Sequence, residues 1–121
     1  DRIVCGTSSP KAMETLKQIY MDFHAPVCIV EPETSEFIKY LSNTLLATLI
    51  SYSNEMANIA AQIGGIDIGK AFKTLHLDKR LKGSGIASYI YPGCGYGGYC
   101  LPKDTAAMVT CARFTATRRK F

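Results

Sequence analysis

From Pro32 to about Ile63 the chain contains no glycine, and no proline after the first position. That run constrains the fold more than any other. Phe37, Leu41, Leu45, Leu49, Tyr52, Met56, Ile59 and Ile63 recur along it at steps of three and four. The period predicts one helix of about eight turns. Gly64-Gly65 should stop it, because glycine takes the left-handed conformation that closes a helix. A helix that long needs partners along its length. A coiled-coil strand is one reading. Polar Asn43, Asn54 and Asn58, with many small residues, favour a packed bundle or a dimer core.

The preceding residues differ in kind. Arg2–Gly6 is apolar, β-branched and closed by glycine, which predicts a short buried strand. Thr7-Ser8-Ser9-Pro10 supplies a cap followed by a proline in the first turn. Ala12, Leu16, Ile19, Tyr20 and Phe23 follow at helical spacing, and Pro26–Val30 predicts a second buried strand. Such a β-α-β unit has parallel strands and a right-handed crossover. Two parallel strands do not make a stable sheet alone. Residues 1–31 are therefore expected to be the end of a larger, Rossmann-like α/β domain.

After the glycine pair, Ile66-Asp67 opens a shorter helix to about Leu75. Asp78-Lys79-Arg80 follows, then a glycine-dense loop from Gly83 to Tyr99. Asp104 or Thr105 is the expected cap of a last helix through Met108, Val109 and Ala112. Residues 32–112 read as a central helical domain, and 113–121 as a tail or the start of a linker. The predicted class is mostly α (α+β): a long central helix with packed shorter helices, preceded by the β-α-β remnant.

At 121 residues the chain has room for one domain with a core and too little for two full ones. Its net charge of +4 is scattered, with no dense Lys/Arg block before Arg118-Arg119-Lys120. A nucleic-acid stripe would be denser, so no nucleic-acid partner is expected. No apolar run reaches the roughly 20 residues of a membrane span, and no secretory leader is expected. The five cysteines, at 5, 28, 94, 100 and 111, are odd in number and form no Cys-x-x-Cys pair. His24 and His76 are far from them in sequence. This pattern predicts no metal site and no disulfide framework, but reduced thiols in a cytoplasmic protein.

The chemistry concentrates in Gly93-Cys94-Gly95-Tyr96-Gly97-Gly98-Tyr99-Cys100-Leu101-Pro102-Lys103-Asp104. Gly93-x-Gly95-x-x-Gly98 has the spelling of a dinucleotide fingerprint but not its context. A fingerprint follows a strand, leads directly into a helix and has an acidic residue about 20 positions on. Here Cys-Leu-Pro follows and no such acid appears. The glycines read instead as tight turns that let backbone amides approach a ligand. Cys100 stands just before the expected helix start, where backbone N–H groups favour a thiolate. Lys103 would add to this if it points inward. By itself, Cys100 reads either as an inert buried thiol or as a nucleophile. Lys39 and Asn43, four apart, share a helix face. They read either as a solvated helix end or as a pair that polarises a carbonyl or positions water.

Taken together and in this order, four elements resemble one family. They are Glu36-x-x-Lys39-Tyr40-x-x-Asn43-x-x-Leu46-Ala47, Asn54-Glu55, Asp78-x-Arg80, and Gly95-Tyr96-Gly97-Gly98-Tyr99-Cys100-Leu101-Pro102-Lys103-Asp104. The family is that of the UDP-glucose/GDP-mannose dehydrogenases, and within it the UDP-glucose 6-dehydrogenases. The resemblance runs from Asp1 to about Met108. Tyr99 stands where many members carry serine, and the stretch from Arg80 to Cys100 is a few residues longer than in many.

The resemblance implies an N-terminal NAD-binding domain, a central helical domain and a C-terminal nucleotide-binding domain. This chain would be the last β-α-β piece of the first plus the second. It implies a homodimer through the long helix, NAD as cofactor and UDP-glucose as substrate. The C6 alcohol would be oxidised to the carboxylate of UDP-glucuronate, a precursor for polysaccharide biosynthesis. Cys100 would form a thiohemiacetal and then a thioester. Lys39 would stabilise the oxyanion, Asn43 would help position it, and Asp104 would orient the hydrolytic water or assist proton transfer. Tyr89, Gly95 and Gly97 would contact the sugar nucleotide, and Arg80 would reach it across the dimer. The segment alone, without its NAD-binding fingerprint, is expected to be inactive. The alternatives are a sister enzyme acting on GDP-mannose or UDP-N-acetyl-hexosamines, or a module that only dimerises.

Overall fold

A computed structural model describes residues 2–118. It divides into two compact units between Leu41 and Ser42.

The first unit holds strand β1 (Ile3–Gly6), helix α1 (Pro10–Tyr20) and strand β2 (Val27–Val30). The strands pair in parallel, with Ile3 opposite Val27 and Gly6 opposite Val30. Helix α1 starts as predicted: Ser9 caps it by accepting from the Ala12 N–H at 3.4 Å, and Pro10 occupies the first turn. The strands were expected to be buried, but Cys5 alone among their residues is. A two-stranded parallel sheet lacks the neighbours and double cover that bury such strands elsewhere. Gly6 is required by a close approach. A Cβ there would lie 2.8 Å from Ser35 Cβ and 2.9 Å from Pro32 Cα.

Helix α2 (Pro32–Ile63) is the long helix that its residue pattern predicts, and it crosses from the first unit into the second. Gly64 (φ 77°) and Gly65 (φ 71°) end it in the left-handed region, and the Gly64 N–H still reaches the Ala60 carbonyl at 3.0 Å. Any side chain at these two positions would be strained.

In the second unit Asp67 caps helix α3 (Ile68–Leu75) by accepting from the Lys70 N–H at 2.9 Å. A 3₁₀ turn (Gly85–Tyr89) follows, then the glycine loop, then helix α4 (Cys100–Arg118). The small residues Ala47, Ser53 and Ala60 of α2 are buried, as are Phe72 of α3, Ile90 and Asp104. Buried small residues let neighbouring elements approach the helix backbone closely. Around Phe72 the Tyr91 ring packs at 6.0 Å, and the His76 ring meets Tyr91 edge-on at 4.5 Å. His76 Nε2 is also 2.9 Å from the Ile90 carbonyl oxygen. These contacts fix the chain just before the glycine loop. The architecture is the α+β, mostly helical one expected.

Candidate active site

The last helix begins five or six residues earlier than its expected cap, Asp104 or Thr105, would place it. Cys100 is its first residue, so Asp104 and Thr105 are not its cap. Pro102 misleads here. A proline in the first turn lacks only an N–H that would have had no helical partner. The consequence is geometric: Cys100 and Asp104 lie one turn apart on one face of α4. Cys100 is exposed and Asp104 is fully buried, at 0% exposure.

A buried carboxylate must be compensated. Asn43 of α2 donates through Nδ2 to Asp104 Oδ2 at 2.6 Å, across 61 residues of sequence. Lys103 Nζ donates to Asp104 Oδ1 as an ion pair. Lys103 was a candidate to assist the thiol. It pairs with Asp104 instead, with its ammonium 5.8 Å above the Tyr99 ring. The Thr105 hydroxyl oxygen is buried close by and has no hydrogen-bond partner among the described residues.

The glycine loop is tied down at its start. The Gly93 N–H donates to Asn54 Oδ1 at 2.8 Å, and Asn54 Nδ2 donates to the Ile50 carbonyl at 3.0 Å. Gly95 (φ 88°) and Gly98 (φ 76°) take left-handed conformations. Ser51, Asn54, Glu55 and Asn58 of α2 and residues 93–96 of the loop line an open cleft of about 530 Å³. The loop does lead directly into a helix, contrary to expectation. It follows a 3₁₀ turn rather than a strand, so the Rossmann cradle for a pyrophosphate is not built here. Gly93-x-Gly95-x-x-Gly98 therefore has the spelling of a dinucleotide fingerprint without its strand-turn-helix setting.

The remaining candidates are Tyr89, Gly97, Arg80 and Lys39. Tyr89 ends the 3₁₀ turn, exposed. Gly97 lies in the loop with Gly95. Arg80 is clasped by Asp78: its Nη2 donates to Oδ2 at 2.6 Å, its Nε to Oδ1 at 3.0 Å, and its backbone N–H to Oδ1 at 2.9 Å. The side-chain bond from Arg80, then the backbone one, holds the Asp78 carboxyl down at about 2, and Asp78 raises the guanidinium in turn. Lys39 lies on α2 in the first unit. Among the described residues no group of three or more His, Cys, Asp or Glu is placed to hold a metal ion, and no helix is long and apolar enough to cross a membrane. Sequence reasoning missed Asn54 as a loop anchor. Its signal is its spacing of three helical turns from Asn43.

One long helix, a glycine loop returning to it and an exposed thiol one turn from a buried carboxylate make up the cluster. Residues 33–120 match the central domain of the UDP-glucose/GDP-mannose dehydrogenase family, and the chain belongs to that family. It is 41% identical over 115 residues to the UDP-glucose 6-dehydrogenase of Pseudomonas aeruginosa, covering 93% of this chain and 24% of that protein. It is 42% identical over 112 residues to the UDP-glucose 6-dehydrogenase YwqF of Bacillus subtilis, covering 93% of this chain and 24% of that protein. A solved UDP-glucose dehydrogenase from the hyperthermophilic archaeon Pyrobaculum islandicum superposes with a TM-score of 0.85 at 35% identity, over 96% of this chain and 26% of that one. The chain thus spans about a quarter of the length of the relatives it matches.

Proposed function

We propose that this chain is the central segment of an NAD-dependent UDP-glucose 6-dehydrogenase. The observation that carries this reading is the Asn43–Asp104 bond. It joins the long-helix motif to the cysteine motif, with Cys100 one turn from the carboxylate. When bound, NAD supplies the two hydride acceptors, and parts of the protein outside this segment hold it.

The residues of this chain act on the sugar. The Cys100 sulfur adds to the C6 aldehyde carbon, and the carbonyl oxygen becomes the oxyanion of a thiohemiacetal. The Lys39 ammonium stabilises that charge, and Asn43 helps position it. After the second oxidation the carbon is a thioester. Water, oriented by Asp104, adds to it and expels the thiolate, leaving the carboxylate. The aldehyde formed by the first oxidation is captured by sulfur and need never be released. Tyr89 and the backbone at Gly95 and Gly97 contact the sugar nucleotide, and Arg80 reaches it from the other subunit.

The full-length protein containing this segment is expected to form two NADH for each UDP-glucose consumed, and to prefer UDP-glucose over GDP-mannose and UDP-N-acetyl-hexosamines. NADH absorbance with product analysis measures both. Preferred turnover of GDP-mannose would refute the substrate. Turnover by the 121-residue segment alone would refute the placement of the cofactor site.

The dimer reading has its own support. Leu45, Tyr52 and Ile59, at seven-residue steps along α2, are exposed, and so is Ile63. An apolar stripe at that repeat is a helix-pairing seam. Sedimentation of the full-length protein should show a dimer or a multiple of it. A monomer at micromolar concentration would count against the seam.

A further inference from the structure

We propose that Asn54 is a positioning residue for the reaction: it anchors the start of the glycine loop to α2 and so sets where the loop delivers Cys100. This inference rests on the function proposed above. Both ends of the Asn54 carboxamide are engaged. Nδ2 donates to the Ile50 carbonyl at 3.0 Å, which fixes the amide on its own helix. Oδ1 then accepts from the Gly93 N–H at 2.8 Å.

Asn43 does the equivalent work at the far end, through its bond to Asp104. Asn43 and Asn54 are 11 residues apart. At helical spacing that is about three turns, or about 16 Å, so the two asparagines share a face of α2. Between them Ala47 is buried at 3% exposure. The segment from Gly93 to Asp104 is therefore tied to one helix face by an asparagine at each end.

The tied segment is one that needs tying. Gly93, Gly95, Gly97 and Gly98 fall within it, two of them at positive φ. Glycine loses more conformational freedom on ordering than any other residue. Cys100 follows this stretch directly, so disorder at its start is transmitted to the thiol. Without the Asn54 oxygen, the exposed Gly93 N–H turns to water, and the loss falls on loop order rather than on the helix.

The test compares Asn54→Ala with Asn54→Asp in the full-length protein. Aspartate keeps an acceptor for Gly93; alanine does not. In Asn54→Ala, hydrogen exchange at the amides of residues 93–99 is expected to quicken about fivefold or more, as loss of one hydrogen bond implies. KM for the sugar nucleotide should rise roughly fivefold while kcat moves less, since loop order is restored by substrate before chemistry. Asn54→Asp should return both to within about twofold of the wild type. Unchanged exchange in Asn54→Ala, with helicity intact, overturns the anchor. Faster exchange with unchanged KM overturns the positioning role. If Asn54→Ala loses helicity, Gly93→Pro deletes the donor and leaves α2 untouched, with the same expectations for KM and for exchange at residues 94–99. Should the wild type turn over no sugar nucleotide, the proposed function fails by itself. The exchange rates then still decide the anchor. The rate of Cys100 alkylation decides the positioning, an equal rate in wild type and Asn54→Ala overturning it.

Discussion

Replacing Cys100 by serine in the full-length protein is expected to lower steady-state formation of the carboxylate product by about a thousandfold or more, because the covalent path is lost. Binding of UDP-glucose should change by no more than about twofold, since the exchange of one sulfur for oxygen at an exposed helix end removes little contact. The expectation follows from position. Cys100 is exposed at the first residue of a 19-residue helix, directly after a loop with two glycines at positive φ. A ligand bound along the loop backbone meets the sulfur without any rearrangement of a side-chain layer above it. Cys5, buried in β1, offers no such access. Serine keeps the shape but is a far weaker nucleophile at neutral pH, and its ester hydrolyses less readily than a thioester. Product analysis by mass spectrometry, beside calorimetric binding, separates the two effects. Normal rates of UDP-glucuronate production in Cys100→Ser would refute the nucleophile role.

The backbone was more legible than the contacts. An uninterrupted run from Pro32 to Ile63 leaves a chain little choice but a helix, and Gly64-Gly65 ends it where expected. Ser9 and Asp67 announce their helices by the same capping chemistry that the structure shows. Pro102 concealed the start of α4, because proline stops a helix interior and is harmless in its first turn. The site divides in the same way. Residue types and order singled out Asn43, Cys100 and Asp104. No pattern in sequence states that an amide 61 positions away donates to a particular carboxylate. That partner is chosen by packing, once α4 lies against α2. Lys103 illustrates the point. A lysine near a cysteine suggests thiolate chemistry, but a carboxylate with 0% exposure makes the stronger demand on the nearest cation. In sequence Asn54 belongs to the Asn54-Glu55 element of the resemblance with no role attached to it; only the fold brings Gly93 to donate to it.

Asp104→Asn is the second change with a large expected effect, and it acts on stability as well as rate. Asp104 accepts from Asn43 on one oxygen and from Lys103 on the other. An asparagine has one oxygen and one NH2 group. Turned toward Asn43 with its oxygen, it presents its NH2 to the Lys103 ammonium. Turned the other way, it sets two amide donors against each other. Either way one buried bond is lost and a donor faces a donor, at a cost of about 2 kcal/mol. The larger penalty of breaking a fully buried ion pair does not apply, because the Lys103 side chain is 40% exposed and can be hydrated. The unfolding midpoint of the full-length protein in urea should therefore fall. The Asn43→Ala change is expected to be non-additive with it, since both alter the bonding of one buried side chain. Thioester hydrolysis should slow by about a hundredfold or more if Asp104 also orients the water. The two roles separate in one comparison. A folded Asp104→Asn protein that accumulates acyl-enzyme at Cys100, seen by intact-mass measurement, places the carboxylate in the hydrolytic step. The same protein with a lowered midpoint but no acyl-enzyme would leave Asp104 as the buried post that holds α4 to α2, and the water would need another partner.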